Sequence, residues 1–193
     1  ALLEGEDHEV GQTLFAGNAP EGVSALDALH LSVPIRTHRG TRVADWVEAV
    51  LAGNDVDARA IALELDRFKL VFTRSLAKAK SWLNGTTKGN RRCGLVASSG
   101  AKRLRRFGIS VDARIDVAQW FLGSPDDVRS SLYLELPATE FDIQGLELDR
   151  VGVCWDADLR MSQDGWLHRK FVGTKWQVIR NAAGRTYLTN KYR

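Results

Sequence analysis

Nothing in this 193-residue sequence is long and apolar enough to span a bilayer, since no run of about 18 apolar residues occurs. Its start carries Glu4, Glu6, Asp7 and Glu9 where a signal or transit peptide is basic, so a cytoplasmic location without membrane attachment is the expectation. Cysteine is scarce. Cys93 and Cys154 stand apart with no CxxC and no Cys/His cluster, which removes a zinc ribbon or a disulfide framework. Both read as small buried hydrophobes. His8, His30, His38 and His168 show no HxH or HExxH spacing, so no metal site is expected of them. The chain also lacks internal repeats and low-complexity tracts, and its first 27 residues hold six carboxylates but no Lys or Arg.

What is present describes a folded body. Hydrophobic residues make up 44% and charged residues 26%, far from the profile of a disordered chain. The formal net charge of +3 is unevenly spread. Between residues 91 and 106 stand Arg91, Arg92, Lys102, Arg103, Arg105 and Arg106 with no acid among them, and bases dominate again from Arg160 onward. Such segments can meet phosphates or can simply be solvated faces.

Residues 1–30 are rich in Gly, Glu and Ala with weak periodicity and read as an irregular lead-in from a preceding domain. Val43, Trp46, Val47, Val50 and Leu51 then recur at helical spacing and form one apolar stripe, which Gly53 and Asn54 can end. A second helix is expected over residues 58–65. The period changes afterwards: residues 69–73 (KLVFT) read as a short strand, residues 75–83 as a helix, and residues 93–97 as another strand. The basic stretch 101–107 reads as a helix, and Asp116 can cap one that carries Val117, Trp120 and Phe121. Residues 132–136 (LYLEL) and 151–155 are the remaining strand candidates. Strands alternating with helices predict an α/β domain with a mainly parallel sheet flanked by helices on both faces. Gly165, Trp166, Gly173 and Trp176 suggest a hairpin-like insertion before a final helix over residues 185–192.

Four segments carry chemistry. The stretch from Thr139 to Glu147 sets a Thr six residues before Gly145, Leu146 and Glu147, with Gln144 preceding them. A glycine there lets backbone approach phosphate, a carboxylate can accept hydrogen bonds from a ribose, and a Thr can donate to a nucleic-acid phosphate. Arg36 follows Leu31 at a spacing of five, just before the first helix. An always-charged planar fork suits bidentate phosphate binding. Arg74 follows the 69–73 segment directly, and a guanidinium can stack on an aromatic ring. Ser98, Ser99, Lys102 and Arg103 lie at a strand-to-helix turn where hydroxyls and basic side chains can meet phosphate. Asp126 with Asp127, or Glu135 with Glu140, lacks the spacing and supporting base of a metal nuclease.

The 139–147 segment resembles motif V of superfamily 1 helicases, with Phe141 standing where a His is usual. The 31–36 segment resembles the element that opens the second motor domain of these enzymes, and Asn190, Lys191, Tyr192 and Arg193 resemble the start of motif VI. Together with residues 94–99 and 127–131, these segments are similar to the bacterial Schlafen-type DNA/RNA helicase-domain family over residues 30–193. The resemblance implies a RecA-like second motor domain spanning residues 31–193 and cut within motif VI. It implies ATP with Mg as cofactor, a preceding RecA-like domain that holds most of it, and single-stranded DNA or RNA as partner. Arg36 would then sense the γ-phosphate. Arg74, Gln144, Gly145 and Glu147 would reach the nucleotide, while Thr139, Ser98, Ser99, Lys102 and Arg103 would hold the strand. No GxxxxGK[ST] occurs in the chain, so ATP hydrolysis is expected only with that partner domain. The competing expectation is a non-catalytic nucleic-acid-binding or docking module, for which the departure at Phe141 leaves room.

Overall fold

A computed structural model describes residues 41–65 and 69–193; Arg36, the 31–36 element and the lead-in lie outside the described residues. The described chain divides into two compact units, one drawing on residues 41–70 and 182–193 and the other on residues 71–181.

In the first unit the apolar stripe forms helix α1, Thr41–Leu51, and residues 55–64 form α2, Asp55–Glu64. Gly53, at φ 73°, supplies the left-handed residue that stops α1. Asn54 then opens α2, its side-chain carbonyl accepting the Asp57 N–H at 3.1 Å. Leu51, Ala58 and Leu65 are buried between these helices, and Arg42 pairs with Glu64 across them. Helix α5, Ala182–Asn190, buries Leu188, and Arg193 just beyond it donates to Glu48 at 2.8 Å.

The second unit opens with α3, Leu76–Thr86, capped by the Ser75 hydroxyl, which accepts from Lys78 N–H at 3.3 Å. Strand β1, Cys93–Val96, is buried along its whole length, as a strand covered on both faces must be. It pairs in parallel with β2, Arg150–Val153, in the register Cys93 to Arg150 and Val96 to Val153. On its other edge Ala97 N–H donates to Ala138 O and Ala138 N–H to Leu95 O, both at 3.0 Å, a single parallel bridge. Two glycines permit this close packing. A Cβ on Gly94 would lie 2.8 Å from the ring of Trp120, and one on Gly152 would lie 2.8 Å from Leu95 and 2.9 Å from Leu83. Trp120 belongs to α4, Val117–Leu122, which Asp116 caps through the Gln119 N–H at 3.0 Å. The core gathers Leu83, Cys93, Leu95, Ala97, Ala101, Ile109 and Leu134. Cys154 packs against it, and burial pushes its thiol up to about 11 despite the pull of Lys80.

After β2 the chain forms a separate antiparallel meander of β3, Leu159–Ser162, β4, Gly165–Val172, and β5, Lys175–Val178. The hairpin expected near Trp166 and Trp176 is therefore present, and it makes antiparallel pairing outnumber parallel pairing among the described strands. A mainly parallel sheet is not what the described residues form; the mixed α/β class stands.

Two expected strands are absent. Residues 69–73 form none, and Val71 and Phe72 are exposed, because a short apolar run pairs only where a neighbouring strand edge is offered. Residues 132–136 also form none. Ser130 caps a 3-10 turn, Ser131–Tyr133, and Leu134 follows in the left-handed region at φ 61°. That conformation costs a leucine about 1–2 kcal/mol. Complete burial of its side chain offsets this. The basic segment is a 3-10 helix, Lys102–Phe107, ended by Gly108 at φ 87°. No helix among the described residues is long and apolar enough to cross a membrane.

Candidate functional site

Parallel strands place their following loops together at their carboxyl ends, the usual ligand side of such sheets. Here three loops meet at that end: residues 97–101 after β1, residues 138–142 after the Ala138 bridge, and residues 154–158 after β2.

The first loop is a tight turn. Ser98 is buried, its hydroxyl accepts the Gly100 N–H at 3.1 Å, and its carbonyl accepts the Ala101 N–H at 2.8 Å. Glu140, from the second loop, clasps this turn: its carboxylate accepts both the N–H and the hydroxyl of Ser99, each at 2.7 Å. Next to it Thr139 is buried, and its N–H and hydroxyl both donate to the same Asp142 oxygen at 2.8 and 2.6 Å. Asp158 of the third loop stands against the turn, since a Cβ on Gly100 would come 3.1 Å from its Oδ2. Asp156 is buried as well, and its Oδ2 has no hydrogen-bond partner among the described residues.

The 138–142 loop runs on into the segment bearing Gln144, Gly145 and Glu147, all exposed. Gly145 has φ 77°, and nothing lies within 4 Å of where a Cβ would stand, so the backbone is open to a ligand there. Leu148 turns inward toward Gly94. Asp149 then secures the segment's end by accepting the Arg92 N–H at 2.8 Å. The stretch from Thr139 to Asp149 is thus a loop held at both ends with an exposed middle. Phe141 is also exposed.

Directly after the Ser98 turn the 3-10 helix carries the basic cluster. Lys102 pairs with Asp112 at 3.5 Å, and Arg103 lies over the rings of Phe171 and Trp176 at 5.9 and 5.8 Å. Arg74 is exposed at the bend before α3.

The structure therefore brings Ser98, Ser99, Thr139 and the loop containing Gln144, Gly145 and Glu147 into one connected region, with Lys102 and Arg103 next in line. Sequence reasoning missed the part of Glu140, 41 residues from Ser99, because no local pattern links the two. It also missed that Asp142 engages the Thr139 hydroxyl. No group of three or more His, Cys, Asp or Glu suited to a metal ion occurs among the described residues.

Residues 5–193 match the family model described as Schlafen group 3, DNA/RNA helicase domain. No curated protein matches the chain, and no solved structure does.

Proposed function

The chain belongs to the Schlafen group 3 DNA/RNA helicase-domain family, and from that premise we propose that it is the second, RecA-like half of an ATP-dependent helicase or translocase, completing a nucleotide site and gripping a single strand of DNA or RNA. The observation that carries this reading is the clasp of Ser99 by Glu140. It joins the turn that leads to Lys102 and Arg103 to the very loop that presents Gln144, Gly145 and Glu147. A shift at the nucleotide end of that loop is thereby transmitted to the basic end through two short charge-assisted hydrogen bonds.

The chemistry of the exposed loop suits a nucleotide. Gly145 offers backbone without a side chain in the way, and Glu147 offers a carboxylate to ribose hydroxyls. Arg74 would stack on the base, and Arg36 would reach the terminal phosphate with its bidentate fork. ATP with Mg, held mainly by the P-loop of a partner RecA-like domain, supplies the hydrolysis that drives closure and opening. Ser99, Lys102 and Arg103 contact the strand, and the buried Ser98 holds the turn that presents them. Thr139 joins them by exchanging Asp142 for a strand phosphate, because its hydroxyl is committed to that carboxylate in the present arrangement.

The test is ATP hydrolysis by a protein in which this chain is joined to a P-loop-bearing RecA-like domain, with and without single-stranded DNA or RNA. Stimulation by nucleic acid is expected, and Arg36→Ala and Glu147→Ala should each abolish it while leaving the fold intact. The exposed Phe141, in a position where the family motif has His, favours the second reading, a non-catalytic nucleic-acid-binding or docking module. A folded, complete protein that binds strand but hydrolyses nothing would establish that reading instead.

A further inference from the structure

The antiparallel meander follows the 154–158 loop, and one of its faces is chemically distinctive. Cross-strand neighbours share a face, as do alternate residues along a strand. The register pairs Arg160 with Leu167, Arg169 with Val178 and Phe171 with Trp176. Arg160, Leu167, Arg169, Phe171, Trp176 and Val178 therefore lie on one side.

Arg103 approaches this side from the 3-10 helix, and Arg169 lies over the Trp176 ring at 4.9 Å. One indole thus holds two guanidinium groups, and Phe171, edge-on to Trp176 with centroids 5.2 Å apart, fixes the indole. Arg169 is further held by two hydrogen bonds from its guanidinium to Ala157 O at 3.1 and 2.6 Å. These use only two of its five N–H groups. None of Arg103, Arg160 and Arg169 is paired with a carboxylate among the described residues. From residue 159 to residue 178 there are four Lys or Arg and a single acid, Asp164.

We propose that this face is a second contact for single-stranded nucleic acid, in which Arg103, Arg160 and Arg169 bind successive backbone phosphates and Trp176 with Phe171 orients the guanidinium groups of Arg103 and Arg169. Positive charges without carboxylate partners favour anions, two of the three are held in place by the rings, and guanidinium is suited to phosphate oxygens. Two basic segments far apart in sequence become one tract, because Arg103 reaches Trp176. Trp176 serves here as an arginine support and leaves base stacking to other groups. The tract extends the strand path from the Ser98 turn onto the meander and rests on the nucleic-acid reading above.

The test measures fluorescence anisotropy of labelled oligo(dT), and in parallel oligo(U), with the 193-residue chain at salt concentrations between about 50 and 200 mM. The variants are Arg160→Ala, whose side chain is exposed, Trp176→Leu and Arg103→Lys, with the far-ultraviolet spectrum of each checked against wild type. Arg160→Ala is expected to weaken both oligonucleotides several-fold and equally. It should also lower the slope of log affinity against log salt by about 0.7, the value for one phosphate contact on a single strand. Trp176→Leu should weaken binding without removing a charge, and Arg103→Lys should fall between wild type and loss. Wild-type binding that all three variants leave unchanged, in affinity and in slope, would overturn the meander tract while preserving strand binding at the clasped loops. No binding by wild type would overturn both.

Discussion

The carboxylate of Glu140 ties the turn after β1 to the loop running toward Glu147, and replacing it tests that tie directly. It accepts two bonds from Ser99, each 2.7 Å long. A hydrogen bond to a charged group contributes about 1.5–3 kcal/mol, and the lower end applies to half-buried groups such as these. Glu140→Ala removes both bonds, so unfolding of the unit spanning Val71–Asn181 should become easier by about 2–3 kcal/mol. Glu140→Gln behaves differently. Its amide oxygen can accept from the Ser99 N–H, and its amide nitrogen can donate to the Ser99 hydroxyl, so the geometry survives and only the charge is lost, at about 1 kcal/mol. Urea unfolding followed by tryptophan fluorescence measures both values. Amide hydrogen exchange localises them, and Ser99 N–H should exchange about 30- to 150-fold faster in Glu140→Ala. A Glu140→Ala protein within about 0.5 kcal/mol of wild type, or a Glu140→Gln protein as unstable as the alanine variant, would refute the clasp as the anchor of the turn.

Close packing of β1 against α4 makes a second prediction. Gly94→Ala places a methyl group 2.8 Å from the Trp120 ring and 3.3 Å from Leu148, in a fully buried setting, so stability in urea should fall by about 1–3 kcal/mol. An unchanged midpoint would mean that Trp120 gives way freely. The third concerns acid. Hydrogen bonds from the Arg129 guanidinium, followed by one from its backbone N–H, hold the Asp127 carboxyl at about 2 rather than the ordinary 3.8. Because the folded value lies below the unfolded one, the stabilisation from Asp127 is complete above pH 3.8 and is lost as pH falls through about 2. Carbon-detected NMR titration should show this depressed midpoint, and Arg129→Ala should return it toward 3.8; a normal midpoint in wild type would contradict the Arg129 contact.

Much of this protein was legible from its residues one stretch at a time. Helix α1 follows from the spacing of Val43, Trp46, Val47, Val50 and Leu51, and α4 from Asp116 ahead of Val117 and Trp120. Strands β1 and β2 follow from short apolar runs, and the meander from Gly165 and Gly173, both at positive φ in its turns. The family was legible as well, since its motif residues can be read without knowing where they fold. These signals share one property: periodicity, caps and turn residues act over a few positions of chain.

What could not be read there depends on distant partners. Residues 69–73 and 132–136 have the same apolar character as residues 93–96, yet only the last finds strand edges on either side and becomes a strand. Leu134 adopts a left-handed backbone because its side chain has a buried place to fill, which no propensity scale encodes. The Glu140 clasp on Ser99 spans 41 residues, and Arg103 meets Trp176 across a longer stretch still. Local sequence determined which elements could form and which chemistry they carry. Tertiary structure decided which side chains meet, because a contact between distant residues exists only after loop closure has been offset by the packing of the whole unit.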